Sequence, residues 1–336
     1  MVRQSNELFL AWSSLIGSEH NEGWRTISLE PCGPLEVKAG RRTPENLETV
    51  LIKFPSSSFL PQQKFPEGVG FSIEIIELDS DNHSWLTLSR KSAGSIELFT
   101  SMVCDVLGAL DGISVTCLDQ PRLAQHCLNR ISAWQEFMKK GVQGLTPEEE
   151  VGLIGELHVF AKLISEKLPL SILAEGWLGP VDGQQDFVIG TGAIEVKTTL
   201  SSTGFLAKVG SLEQLDDGLR APLFVAGIRL VQSKSGQGLS GLVHTIFKFL
   251  DVDVGAKILF SERLLAAGYF EAHSSRYTRG FDVSEFKLFK VDEGFPRLIH
   301  GNVPLGVKKA SYEIDLDQLS VNGPQLPEVL LELGIN

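Results

Sequence analysis

The chain has 336 residues, of which 43 % are apolar and 21 % charged, a composition that supplies core material for about two domains and excludes a largely disordered chain. Its formal charge of −12 excludes a globally basic nucleic-acid coat, yet basic residues outnumber acidic ones over 187–311, which leaves room for a local basic surface facing a polyanion. The Gly and Pro residues follow no repeat, so collagen-like and low-complexity classes are excluded as well.

The N-terminal run Leu8–Gly17 imitates a signal peptide, but Glu7 abuts it, and Leu8, Trp12 and Leu15 fall at helical spacing. A first amphipathic helix is therefore expected. Cys32, Cys104, Cys117 and Cys127 form no C-x-x-C pair, which fits thiols in a reducing cytosol. No apolar run approaches the ~18–20 residues of a membrane span, so a cytoplasmic protein without a membrane partner is expected. Residues 24–30, 47–54, 70–78 and 84–90 read as β-strands separated by Pro, Gly, Ser and Asn clusters. Helical periodicity follows over 95–110 and 121–140. The segment Gly141–Leu145 then separates two strong helix patterns and sets the domain boundary. Residues 1–145 make a β-rich α+β domain with a helical end. It carries 13 Lys+Arg against 17 Asp+Glu, so partner docking is expected of it rather than DNA reading.

The second domain, 146–336, opens on Thr146-Pro147-Glu148-Glu149, with Thr at the N-cap, Pro at N1 and Glu at N3. This helix should run to about Lys167 with an apolar stripe of Ile154, Leu157, Phe160, Ala161, Ile164 and Leu168. Two strand patterns, 184–190 and 193–200, join around Gly190-Thr191-Gly192 as a hairpin. Residues 222–232 read as a buried strand, 239–250 and 262–270 as helices, and 285–291 and 311–319 as strands. Helix, hairpin, buried strand and helix in succession give an α/β layered pattern.

The informative chemistry lies in 156–197. Alternate side chains of a strand share a face, so Glu195 and Lys197 point the same way, with Ala193 and Thr199, and Ile194, Val196 and Thr198 point the other. Pairing of the hairpin brings Asp186 near Glu195. Two carboxylates held together repel, and a divalent cation relieves that repulsion. A lysine on the same face can bind a scissile phosphate or stabilise an attacking hydroxide. Glu156 sits on the shoulder of the helical stripe, about 100° from its centre, with Gly152 and Gly155 beside it to let backbone approach closely. E-x-K occurs three times, at Glu36, Glu195 and Glu285. Only the middle one has an upstream Asp on its own strand, a turn between, and a preceding capped helix carrying a Glu. A salt-bridged exposed strand face is the plain alternative.

Glu156 in Gly155-Glu156-Leu157, Asp186 in Gln185-Asp186-Phe187, and Glu195-Val196-Lys197 resemble the PD-(D/E)XK nuclease superfamily. More narrowly, the chain resembles the family called "PD-(D/E)XK motif proteins". Trp177-Leu178-Gly179-Pro180, Ser211-Leu212-Glu213-Gln214-Leu215, Gly294-Phe295-Pro296-Arg297 and Ser311-Tyr312 extend the match over about 150–320. Gln185 stands where the superfamily's name has Pro. The resemblance implies a restriction-endonuclease-like core, a central mixed sheet flanked by helices, and a restriction–modification or phage-defence setting. It implies a Mg²⁺-dependent DNA endonuclease, with Mn²⁺ able to substitute. In that reading Asp186 and Glu195 ligate the metal with the Val196 backbone carbonyl, Glu156 assists from the helix, and Lys197 positions or activates the water. It further implies DNA as partner, other subunits supplying an ATPase or methyltransferase, and a homodimer with one site per strand. Such folds also persist as catalytically inactive DNA-binding or scaffolding subunits.

Outside this constellation, His273, Arg276, Tyr277 and Arg279 mix cations with an aromatic, which suits phosphate gripping or base stacking as well as a solvated loop. Lys208 and Lys308-Lys309 offer weaker versions of the same pattern. Gln214 is a further candidate DNA contact near the site, or a plain surface amide. Gly236-Gln237-Gly238-Leu239-Ser240-Gly241 matches G-x-G-x-x-G formally but lacks the downstream ribose acid, so a flexible strand-to-helix loop is expected there. H-E-x-x-H, G-x-S-x-G and G-K-[ST] do not occur, which leaves zinc-protease, serine-hydrolase and P-loop ATPase readings without support.

Overall fold

The computed structural model describes residues 5–16, 23–60, 62–78, 81–114, 118–140, 144–181, 183–218, 220–319 and 323–335, without the side chains of 139, 140, 272, 273 and 275. Gly141–Gln143 of the expected boundary, Cys117 and the side chain of His273 thus lie outside the description. The chain divides into two units, Met1–Val142 and Gln143–Asn336. Among the described residues no helix is long and apolar enough to cross a membrane.

In the first unit, helix α1 (Ser5–Ser14) buries Leu8 and Trp12, as the helical spacing requires. Strands β1 (Gly23–Ser28), β2 (Val37–Thr43), β3 (Glu48–Pro55), β4 (Phe71–Ile76) and β5 (His83–Arg90) follow. They form one antiparallel sheet in the order β1-β2-β3-β5-β4. Strand β2 escapes the alternation pattern because it carries Arg41 and Arg42. Arg41 is nonetheless buried, because its guanidinium bonds Glu48 Oε1 at 2.6 Å. Helices α2 (Ile96–Ser114) and α3 (Gln120–Lys140) are clamped together by Asp105, which takes two bonds from Arg130 and one from the Trp134 indole.

The second unit begins with helix α4 (Pro147–Ser165). Thr146 and Glu149 make the expected reciprocal cap, with the Glu149 amide on Thr146 Oγ1 and the Thr146 amide on Glu149 Oε2. Helix α4 stops two residues short of Lys167, which takes a left-handed φ of 64°. Helix α5 (Leu170–Gly176) leads to the hairpin strands β6 (Phe187–Ile189) and β7 (Gly192–Thr199), then to β8 (Leu206–Val209) and the long β9 (Leu223–Gly238). Helices α6 (Leu239–Leu250) and α7 (Val254–Ala266), strands β10 (Gly280–Lys290) and β11 (Tyr312–Asp315), and helix α8 (Leu326–Glu332) complete it. Residues 254–261, read from sequence without structure, form most of α7, which Asp253 caps through the Ala256 amide at 3.0 Å.

The central sheet runs β10-β9-β7-β6. Strand β9 is antiparallel to β10 and parallel to β7, and β7 is antiparallel to β6, so the sheet is mixed. Its two faces differ. One packs Ile194, Val196, Phe224 and Ala226 on Ile154, Leu157 and Phe160 of α4 and on buried residues of α6, α7 and α8. At its centre Trp177 lies 5.6 Å from the Phe160 ring and 5.4 Å from that of Phe260. Burial of each such side chain stabilises by roughly 2–3 kcal/mol. The other face packs Ala193, Leu223 and Val225 under Ala207 and Val209 of β8 and Ile314 of β11. Strands β8 and β11 form a separate antiparallel pair.

The expected flexible loop at 236–241 is absent. Gly236 and Gly238 belong to β9, and α6 starts at Leu239. A Cβ on Gly236 would lie 2.5 Å from the Phe281 amide, so that glycine serves the close crossing of β9 and β10 rather than a phosphate.

Candidate active site

The hairpin sets the site. A two-residue turn with Gly190 at φ 59° joins β6 to β7 and pairs Ile189 with Gly192 and Phe187 with Ile194. Extending that register by one residue sets Asp186 opposite Glu195. Asp186 is fixed at three points. Its carbonyl accepts from the Leu178 and Gly179 amides at 2.8 and 3.1 Å, and its Oδ2 accepts from the Val196 amide at 2.7 Å. The N–H and C=O of one residue leave a strand on the same edge, so the Val196 carbonyl leaves β7 on the Asp186 side.

Glu195 and Lys197 project from the same face of β7 as Ala193, toward the β8–β11 pair. Glu195 is 2 % exposed and accepts from Lys197 Nζ at 2.8 Å. Lys197 Nζ also reaches Gln214 Oε1 at 3.5 Å, and Gln214 Oε1 is held by the Gly210 amide at 2.7 Å. Gln214 therefore joins the site. An ammonium has three donors, so one of Lys197's remains for water or substrate.

Glu156 enters from α4. Gly155 lets that helix close on β7, since a Cβ there would lie 1.8 Å from Thr198 Oγ1. Gly152 has nothing within 4 Å of such a position and plays no comparable part. The indole N–H of the wholly buried Trp177 donates to Glu156 Oε2 at 2.7 Å. A Cβ on Gly179 would lie 2.6 Å from Asp186 Oδ1 and 2.8 Å from Glu156 Oε2. Both oxygens therefore face one small space that a larger residue at 179 would fill.

The electrostatics follow from burial. Burial and then the Asp186 charge hold Glu156 well above the usual carboxylate range, against the Trp177 hydrogen bond. Burial raises Asp186 to about 6, against the Val196 amide and Lys197. Burial and the Asp186 charge raise Glu195 to about 8, and Lys197 offsets this only in part. Three desolvated acids facing one lysine lack positive charge, and a cation would supply it.

Among the described residues no three His, Cys, Asp or Glu side chains stand as a ready-made metal cluster. Mg²⁺ does not require one. It is commonly held by one or two carboxylates and keeps several waters. Asp186, Glu195 and the Val196 carbonyl supply hard oxygen donors of that kind, and the donor set fits.

Several supporting residues were not visible in the sequence. Gln185, in the place of the superfamily's Pro, is buried and donates to the Glu213 and Gln214 carbonyls at 3.1 and 3.4 Å. It ties the Asp186 strand to the loop that carries Gln214. That loop is braced from outside by Arg297, which bonds the Leu215 carbonyl at 2.8 Å and Asp217 at 2.9 Å. His300 braces it too, 2.8 Å from Glu213 Oε1. Trp177, Gly179, Gln214 and Arg297 all fall in the strings on which the resemblance rested, but their contacts arise only in the fold.

Tyr277 and Arg279 of the 273–279 segment are engaged elsewhere. Tyr277 is buried, stacks on Tyr269 with ring centroids 5.6 Å apart, and accepts from the Leu145 amide. Arg279 bonds Glu150 Oε2 and the Pro147 carbonyl at 2.6 and 2.7 Å, over the Phe281 ring. Both side chains brace the start of α4. Arg276 is exposed, with its charge beside the Tyr277 phenol.

Residues 9–317 match the model of the family described as "Putative PD-(D/E)XK family member, (DUF4420)". The chain belongs to that family. No curated protein and no solved structure matches it.

Proposed function

We propose, with membership of the PD-(D/E)XK family as premise, that the protein is a Mg²⁺-dependent DNA endonuclease serving a restriction or phage-defence system. The observation that carries this reading is the convergence of Asp186, Glu156, Glu195 and Lys197 on one sheet edge, with the carboxylates short of positive charge. When bound, Mg²⁺ would lower the pKa of a coordinated water and neutralise charge building on the phosphate. Asp186, Glu195 and the Val196 carbonyl would hold it, with Glu156 in support. Lys197 keeps a donor free to hold the attacking water or a phosphate oxygen. Gln214 and Glu195 fix the ammonium in place, and Trp177 fixes Glu156. The sequence contains no motor or methylase motif, so partner subunits supply ATP hydrolysis and target choice, and a homodimer supplies one site per strand.

The test is calorimetry with Mg²⁺ or Mn²⁺, followed by incubation of the same samples with plasmid DNA. The wild type is expected to bind metal and nick the plasmid, and Asp186→Asn to do neither. A wild type that binds no metal with DNA present would sink the nuclease reading. One observation favours a second reading, a DNA-binding or scaffolding subunit without catalysis. Glu195 is closed onto Lys197 at 2.8 Å, its carboxylate already engaged by the chain's own cation. Glu195→Ala and Lys197→Ala separate the two. Loss of function with folding and DNA binding retained favours catalysis, whereas unchanged function favours the scaffold.

A further inference from the structure

We propose that the 297–310 loop docks duplex DNA beside the active site, with Lys308 and Lys309 on phosphates and Leu305 against a groove. The inference rests on the nuclease reading and deepens it by assigning a substrate surface.

The loop's root lies at the site. Arg297 and His300 hold the Gln214 loop through Asp217, the Leu215 carbonyl and Glu213. At the loop's other end Tyr312 pairs with Val209, next to Gly210, which holds Gln214 Oε1. Lys197 contributes to the electrostatic surroundings of the Tyr312 phenol. Leu305 is five residues beyond His300, so it lies within about 18 Å of it along the chain.

The loop is also built to present its tip. Asn302 folds back on Ile299 and Arg297, its Oδ1 taking the Ile299 amide and its Nδ2 reaching the Arg297 carbonyl, both at 2.8 Å. The Val307 amide closes on the Pro304 carbonyl at 3.1 Å with Gly306 at φ 97°. This turn chemistry places Leu305 at the outer corner. Leu305 is 108 % exposed, the most of any large apolar side chain described. Single exposed leucines are common on surfaces, but this one is held outward by a hydrogen-bonded turn and followed by two lysines. Lys308 and Lys309 are exposed, and among the described residues neither has an ion pair or a hydrogen bond. Arg229, Lys257, Arg279, Lys287, Lys290 and Arg297 pair with acids, whereas among the described residues Lys208, Lys234 and Lys248 have no ion pair either, so what sets Lys308 and Lys309 apart is their adjacency on a loop rooted at the site. The site offers the phosphate backbone a single cation, Lys197, and the unit around it is acidic overall, so flanking cations are needed to hold the backbone in reach. Apolar tips beside phosphate-binding lysines suit a groove whose base steps accept a wedge.

The test is fluorescence anisotropy of the full chain on a labelled duplex of roughly 20–30 base pairs. It is run in EDTA, so that no cleavage intervenes, from about 50 to about 200 mM salt. Lys308→Gln/Lys309→Gln is expected to flatten the slope of log affinity against log salt by about 1.8, two phosphate contacts' worth. Leu305→Ala is expected to weaken binding by up to roughly tenfold with the slope unchanged. Lys248→Gln on α6, which packs on the opposite face of the sheet, is expected to change neither. A slope unaltered in the double lysine variant overturns the proposal, and the surface then falls to a protein partner. A wild type that nicks plasmid while the loop variants bind as it does overturns this inference alone. A wild type that neither binds nor nicks removes the nuclease reading with it.

Discussion

Glu48 and Glu195 are both buried, at 4 % and 2 % exposure, yet their carboxyl pKa values move in opposite directions. Burial raises each. Glu195 has a neighbouring carboxylate and one shared lysine, and ends at about 8. Glu48 has Arg90 on Oε2 at 2.5 Å and Arg41 on Oε1 at 2.6 Å. Those bonds and charges outweigh burial and bring it below its ordinary 4.5. The neighbouring charge therefore decides the sign. In the first unit that charge is supplied by the chain, whereas at the candidate site it is withheld, as a cation-binding centre requires. For Glu48 the folded value lies below the unfolded one. Its contribution is present above the unfolded pKa and is lost as pH falls through the folded one. Glu48→Gln is expected to cost about 3 kcal/mol near neutrality, because it removes the only carboxylate described on the buried Arg41 and the half-buried Arg90 and leaves them carbonyl partners alone. Its deficit against the wild type should narrow in acid, once the pH has fallen below the ordinary 4.5 and through the lowered folded value. Urea unfolding near neutrality and in acid reads this directly, and an equal deficit at the two would refute it.

At the scale of elements, the site depends on how closely α4 lies on β7. Gly155→Ala forces a methyl onto Thr198 Oγ1, a contact of 1.8 Å relieved only by a shift of Thr198 or of the helix. The expected cost is about 1–3 kcal/mol, with weakened metal binding because Glu156 moves outward with the helix. Thr198→Ala removes the clashing hydroxyl, which is buried without a hydrogen-bond partner. The double variant should therefore regain part of both losses, a coupling that a double-mutant cycle reads. Additive losses would show that the contact does not set the helix position. This interface also marks what the sequence could disclose. The capped start of α4, the Gly190-Thr191 turn and the shared face of Glu195 and Lys197 depend on neighbours within a few residues, and periodicity exposes them. The Trp177–Glu156 bond, the Gln185 tie to 213–214 and the Arg41–Glu48–Arg90 cluster join residues 21, 28 and up to 42 positions apart. Strand β2 was lost for the same reason. Its buried arginine reads as surface until its distant partner is known.

At the scale of the whole molecule, charge and core assign the chemistry to one unit. Residues 143–336 carry 17 Lys+Arg against 25 Asp+Glu, so on the proposed nuclease reading DNA would approach an acidic body and be held by local cations. Duplex binding should accordingly weaken steeply with salt. The same residues contain Glu156, Asp186, Glu195, Lys197 and Gln214, both hydrophobic clusters that sandwich the mixed sheet, and every hydrogen bond described at the site. A unit with its own core and its own site is expected to hold the site's geometry by itself. The fragment 144–336 is therefore expected to fold alone and to bind Mg²⁺ within about threefold of the full chain's affinity, a difference below 1 kcal/mol. Calorimetry on the two proteins decides it. If the fragment shows a cooperative thermal transition but no metal binding, residues 1–142 complete the site. If the fragment binds metal yet fails to nick plasmid that the full chain nicks, the first unit acts on DNA or on a partner and leaves the metal centre alone.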